Sequence, residues 1–319
     1  MPSERPGPSR RAVLAATALG SLAVAAGAGP ANAAARHHDT AWPTELPLPN
    51  GFAPEGISIG QEPYAYLASR VDGAVYRADL STGQGAILYP GKTGASANGL
   101  KVDTDGLLYV TSGTSDGTAK VIDSATGELL ITYQLTDPTG HFINDVILMG
   151  DRAWYTDSYG PVLYGVPRSR KQGEVRQLPL TGDWVQNTTA GVINANGIVA
   201  APDGTALVVV NGGRLYRVPV DTGEAVEITL SGTDAVTYGD GLLRIGHTLY
   251  VVQNRANQVS VLDLDNSLST ATLTRTITDA RLDVPTTAAF YGDLLYLANA
   301  HLTTPPTPTT AYNVIAVPR

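Results

Sequence analysis

Asn196-Gly197-Ile198, then Leu207-Val208-Val209-Val210, Leu215-Tyr216-Arg217-Val218, Thr222-Gly223 and the run 225–230 form one repeating unit of this chain. A polar residue opens an inner strand, two short strands follow, and a Thr-Gly turn leads to a polar outer strand. Short β-branched and aromatic runs bounded by Gly and Asp read as strands. Similar openings occur at Glu55-Gly56-Ile57, Asn98-Gly99-Leu100, Asn144-Asp145-Val146, Asp240-Gly241-Leu242 and Thr286-Thr287-Ala288, and all six are separated in turn by 43, 46, 52, 44 and 46 residues. Periods of this size mark four-stranded propeller blades. The expected fold is therefore all-β: a six-bladed β-propeller with four antiparallel strands per blade.

The internal plan repeats as well. Second strands appear at Tyr64-Ala65-Tyr66-Leu67, Ala153-Trp154-Tyr155 and Leu249-Tyr250-Val251-Val252, and third strands at Val75-Tyr76-Arg77 and Lys120-Val121-Ile122. The sixth unit reaches its third strand at 313–317 and the sequence stops there, one outer strand short. The segment 43–49 resembles the other outer strands and is expected to supply it, removing two open sheet edges. The alternative, which its prolines would suit, is a disordered leader.

Composition agrees with many short strands. Gly (34) and Pro (21) are abundant and only 16% of residues are charged, which disfavours long helices. Arg10-Arg11, the Ala-rich apolar run 12–28 and Ala31-Asn32-Ala33 resemble a twin-arginine signal peptide covering 1–33. The expectation is a secreted, extracytoplasmic protein whose mature part, 34–319, is one propeller domain, with no membrane association after cleavage. Removing 1–33 shifts the formal charge from −8 to −10, which argues against nucleic acid and anionic membranes as partners. There is no cysteine, so the domain must be held by its core alone.

In a propeller the residues that open the inner strands converge on one end of the central tunnel. Here they are Glu55, Asn98, Asn144, Asn196, Asp240 and Thr286 or Thr287, all of which offer oxygen. Carboxylate and amide oxygens favour a hard cation such as Ca²⁺, whereas zinc or copper would ask for His or Cys. Asn-Gly and Asp-Gly are also strong hairpin-turn signals, so each pair taken alone reads as a turn.

Pro54-Glu55-Gly56, Ile143-Asn144-Asp145, Ala195-Asn196-Gly197-Ile198 and Gly239-Asp240-Gly241-Leu242 together resemble the gluconolactonase, senescence-marker-protein and luciferin-regenerating-enzyme superfamily. Trp154-Tyr155-Thr156-Asp157-Ser158 is similar to a second-strand motif of that family. The resemblance implies a six-bladed hydrolase with Ca²⁺ or another divalent cation held by Glu55, Asn144, Asn196 and Asp240. It also implies that Asp240 is the catalytic residue, as general base or nucleophile. A phosphotriesterase branch uses the same ligand set. Sugar lactonases of the family carry an arginine two residues before the third-blade asparagine, where this chain has Phe142, which points to a less polar substrate. Asn98, His141, Phe142, Asp145, Thr286 and Thr287 are the remaining pocket candidates.

The expected partner is a small-molecule lactone or ester. The rival reading is a non-catalytic propeller that binds a ligand or partner in the same pocket, with an ion serving structure only.

Overall fold

The computed structural model of the protein describes residues 42–319. The expected signal peptide, 1–33, and the first residues of the expected domain lie outside the described residues. Among the described residues the only helical element is a single 3-10 turn, Asn254–Ala256, and no helix is long and apolar enough to cross a membrane.

The chain runs through antiparallel meanders. The first sheet is Pro54–Ile59, Tyr64–Ser69, Val75–Asp79 and Gly85–Tyr89, and the second is Leu100–Val102, Leu107–Thr111, Thr118–Asp123 and Leu129–Gln134. The third is Ile143–Met149, Arg152–Asp157, Val162–Pro167 and Arg176–Pro179. The last comprises Pro285–Tyr291, Leu294–Asn299, Tyr312–Pro318 and Glu45–Leu48.

Between the third and last sheets the structure departs from separate blades. The meander beginning at Ile198–Ala200 and the one beginning at Gly239–Ile245 share one nine-stranded sheet, whose ninth strand is Thr181–Gly182, paired with Glu224–Ser231. The cause is the length of their outer strands, Glu224–Ser231 and Thr270–Thr278, at eight and nine residues. They overrun the outer strands of the other sheets, so Thr229, Leu230 and Ser231 pair in parallel with Thr270, Ala271 and Thr272 and satisfy backbone groups that would otherwise be an open edge.

The arrangement is propeller-like. The inner strands Pro54–Ile59, Leu100–Val102, Ile143–Met149, Ile198–Ala200, Gly239–Ile245 and Pro285–Tyr291 each touch the next, and the last touches the first. Apolar side chains fill the junctions. Tyr109 and Tyr155 are packed between the second and third meanders, Trp154 and Tyr216 between the third and fourth, and Leu215 and Leu249 between the fourth and fifth.

The N-terminal segment joins the last meander. Glu45, Leu46, Pro47 and Leu48 pair antiparallel with Ile315, Val314, Asn313 and Tyr312. Leu46 is wholly buried in the cluster that joins the first and last meanders, and Arg281 clasps the strand from outside by donating to Thr44 Oγ1 at 3.0 Å and to the Ala316 carbonyl at 3.3 Å. Leu46→Ala should therefore cost about 2–5 kcal/mol of stability, read as a lower urea midpoint. An unchanged midpoint would mean that the strand does not close the ring.

Candidate functional site

Four of the six dipeptides that open the inner strands sit at irregularities in the ladder. Pairing skips Glu55-Gly56, Asn144-Asp145, Asp240-Gly241 and Thr286-Thr287, so each inner strand bulges there. Bulges re-aim side chains and recur beside active sites.

Gly56, Gly99, Gly197 and Gly241 explain the rest of the motif. None is in the left-handed conformation that a hairpin turn would require. Each instead presses against the next inner strand: a Cβ on Gly56 would strike the Asn98 carbonyl oxygen, one on Gly197 the Asp240 carbonyl oxygen, and one on Gly241 the Thr287 side chain. The turn reading of these pairs is thereby corrected. Glycine is present because backbones meet at the hub of the ring, and Gly99 N–H donates to Asn144 O at 2.8 Å and Gly197 N–H to Asp240 O at 3.0 Å across those contacts.

Glu55, Asn98, Asn144, Asn196 and Asp240 line one cavity of about 320 Å³, with Arg70 and Asn254 among its other polar members and Phe142, Ile193 and Leu302 as apolar wall. Asn144 Nδ2 donates to Asn196 Oδ1 at 2.9 Å and to Ser158 Oγ at 3.0 Å, while Asn144 Oδ1 is buried with no partner among the described residues. Asn254 Nδ2 donates to Asp240 Oδ2 at 2.7 Å. Glu55 and Asp240 are only 8% and 4% exposed, and among the described residues neither makes an ion pair.

Burial drives the protonation of both carboxyls. It pushes Glu55 well above the usual carboxylate range, with Asp240 and Asp145 adding repulsion. Burial likewise raises Asp240 to about 7, with Asp145 adding to the effect and the Asn254 hydrogen bond opposing it. Two buried carboxyls facing an orphaned amide oxygen form a site short of positive charge. Among the described residues no cluster of three or more His, Cys, Asp or Glu is placed to hold a metal. The set here has two carboxylates and reaches four donors through amide oxygens, which suits a hard, oxygen-seeking cation.

The other candidates fall in different places. Phe142 and Asn98 line the cavity, whereas His141, Asp145, Thr286 and Thr287 are not among its lining residues. His141 is held by Asp157 Oδ2 at 2.5 Å through Nδ1 and faces Thr136 Oγ1 at 2.9 Å through Nε2. Asp145 turns into the backbone, accepting from Val146 N–H at 2.8 Å and Ile198 N–H at 3.3 Å. Thr286 Oγ1 donates to the Glu55 carbonyl at 2.6 Å and so ties the last inner strand to the first, while Thr287 packs against Gly241. These residues build the frame behind the pocket.

The segment Trp154 to Ser158 supports the same frame. Thr156 Oγ1 bridges Asp145 N–H and Asn196 O, Asp157 Oδ1 accepts from the Phe142 and Tyr159 amides, and Ser158 Oγ joins Asn144 to Ala195 O.

Sequence reasoning missed Arg70 and Asn254. Each stands immediately after the second strand of its meander, as do Ser158 and Ala300. That shared position was the available signal. The residue types differ from unit to unit, so the repeat did not expose it.

Together these observations define an all-β, propeller-like protein with an oxygen-rich cavity at its hub. No family model matches the chain and no curated protein sequence matches it. Among solved structures it is similar to the major allergen Mala s 1 of Malassezia sympodialis, at 14% identity over 86% of this chain and 96% of that one, with a TM-score of 0.67. It is also similar to regucalcin, a calcium-binding protein of Agrobacterium tumefaciens (19% identity, 85% and 92% covered, TM-score 0.58). A gluconolactonase of Xanthomonas campestris is a third neighbour (15% identity, 84% and 87% covered, TM-score 0.58). Regucalcin and the gluconolactonase are consistent with the superfamily resemblance carried by the motifs. At these identities the likeness establishes the fold.

Proposed function

We propose that this protein is an exported, metal-dependent hydrolase that opens a lactone or related ester, holding one Ca²⁺ or similar divalent cation through Glu55, Asn144, Asn196 and Asp240. The observation that carries this reading is the pair of buried carboxyls, without an ion-pair partner among the described residues, that share a cavity with the orphaned Asn144 oxygen. In the same reading the nine-stranded sheet counts as two blades, because an apolar core separates its two meanders as at every other junction, and the propeller is six-bladed. Residues 1–33 direct export through a twin-arginine route.

When bound, the cation supplies polarisation of the substrate carbonyl and stabilisation of negative charge developing on its oxygen. The chain's own groups do the rest. Asn254 fixes one oxygen of Asp240, so the carboxylate is held in one orientation to take a proton from the attacking water. That proton passes to the alkoxide released when the ester C–O bond breaks, and a hydroxy acid leaves. Phe142, Ile193 and Leu302 offer an apolar wall to the substrate. Beyond them the cavity continues into a cleft of about 430 Å³ that shares Ile193, Asn196, Asn254 and Leu302 and reaches Tyr238 and Arg255.

The test is hydrolysis by the chain lacking 1–33, stripped with chelator and resupplied with Ca²⁺, on γ- and δ-lactones, aryl esters and phosphotriesters. Calcium-dependent turnover is expected on a lactone or aryl ester. Calcium binding with no turnover on any of these would leave a binding propeller with a structural ion.

The affinity for calcium should also depend on pH. A cation requires ionised carboxyls, and the Asp240 proton is held up to about pH 7 in the metal-free protein. Affinity therefore falls as pH drops through 7, by up to about tenfold per unit from Asp240 and more where Glu55 is protonated as well, which calorimetry at pH 6, 7 and 8 would register. A flat profile would remove Asp240 from the ligand set.

A further inference from the structure

We propose that Arg70 is a substrate-binding residue that receives a carboxylate, so that the substrate is an ester or lactone carrying one anionic group. This deepens the hydrolase reading above and rests on the same cavity. Arg70 is the one cationic side chain among the described residues lining it. Its backbone is pinned directly after the second strand of the first sheet, where Arg70 N–H donates to Ala53 O at 3.1 Å.

The guanidinium is poorly used by the protein. Among the described residues its one side-chain hydrogen bond runs from Nη2 to the Ala300 carbonyl at a long 3.4 Å, and Nε is shielded from solvent with no partner. A buried donor left unpaired is costly, and Arg70, unlike the similarly unpaired Arg168 Nε, lines the cavity, where a ligand can supply the acceptor. The free Nε–H and the neighbouring Nη hydrogens form the planar fork that matches the two oxygens of a carboxylate. Arg70 makes no ion pair within 4.0 Å of Glu55 or Asp240, so no carboxylate of the site itself occupies that fork.

Charge balance points the same way. Glu55 and Asp240 offset a divalent cation, and Arg70 leaves the filled site with one surplus positive charge, which a monoanionic substrate neutralises. The apolar wall of Phe142, Ile193 and Leu302 completes a site for a molecule with an anionic end and an apolar remainder.

Benzoate and its neutral counterpart benzamide are suitable probes, titrated calorimetrically into wild type, Arg70→Gln and Arg70→Lys, with Ca²⁺ affinity measured on the same samples. Wild type should prefer benzoate by about tenfold or more. Arg70→Gln should lose that preference, and Arg70→Lys should recover part of it. Calcium affinity should stay level or rise in Arg70→Gln, because a like charge near the cation has gone; a structural arginine would weaken both ligands together. An unchanged benzoate preference in Arg70→Gln, or a parallel loss of calcium and benzoate, overturns the proposal. If wild type binds no calcium, the hydrolase reading falls, and the benzoate difference between wild type and Arg70→Gln still decides the role of Arg70.

Discussion

Asp240→Asn should remove activity and at the same time make the metal-free protein more stable. The two effects have one origin. In the fold Asp240 is 4% exposed and shares its cavity with Glu55, and burial raises its carboxyl to about 7. The unfolded value is about 4, so folding takes up a proton between those limits. The native state then binds more protons than the unfolded state, and the stability of the metal-free protein falls as pH rises from about 4 to about 7 and stays reduced above that. The substitution keeps the shape and the Asn254 hydrogen bond but abolishes the charge, so urea unfolding in chelator at pH 8 should show the variant more stable than wild type. With Ca²⁺ present the order should reverse, since only wild type gains stability from the bound ion. Turnover should fall by about 10³-fold or more, because a proton acceptor and a cation ligand are lost together. Retained turnover, or a variant less stable than wild type in chelator, would contradict this account.

Gly197→Ala should be the most damaging single-methyl change at the hub. The added Cβ would collide with the Asp240 carbonyl oxygen and lie 2.7 Å from Leu242 N and 2.9 Å from Gly241 C, all of them backbone atoms that no rotamer change can move. The two segments forced apart are the one leading from Asn196 into Ile198–Ala200 and the strand that carries Asp240. A loss of about 3 kcal/mol is expected, with weaker calcium binding in the protein that still folds. Gly60→Ala is the matching control: its Cβ would meet only Val102 Cγ1 at 3.2 Å, in a backbone conformation open to alanine, and should cost less than about 1 kcal/mol. Equal effects at the two positions would show that close approach at the hub is not what requires glycine.

These two sites also indicate how much of the molecule was legible in its sequence. The strand plan and the residues that meet at the hub could be read because each unit repeats them at the same place: a polar side chain, then, in four of the six, a glycine, then an apolar strand. The meaning of the glycine was not legible, since Asn-Gly looks the same whether it turns a hairpin or lets two backbones touch. Only the absence of a left-handed φ at Gly99, Gly197 and Gly241 separates the two. The joining of two meanders into one sheet was hidden for another reason, because it depends on outer strands a few residues longer than their counterparts. Arg70 and Asn254 escaped because their shared position after the second strand is filled by unrelated residue types. His141 reads as a pocket residue by its proximity to Phe142, yet Asp157 draws it into the frame.

The most direct test is a crystal structure of the protein grown with calcium, with anomalous scattering used to locate the ion. The account predicts one peak at the hub, about 2.3–2.6 Å from oxygens of Glu55, Asn144, Asn196 and Asp240. A hub without a peak at saturating calcium, or an ion held elsewhere by other residues, would contradict it.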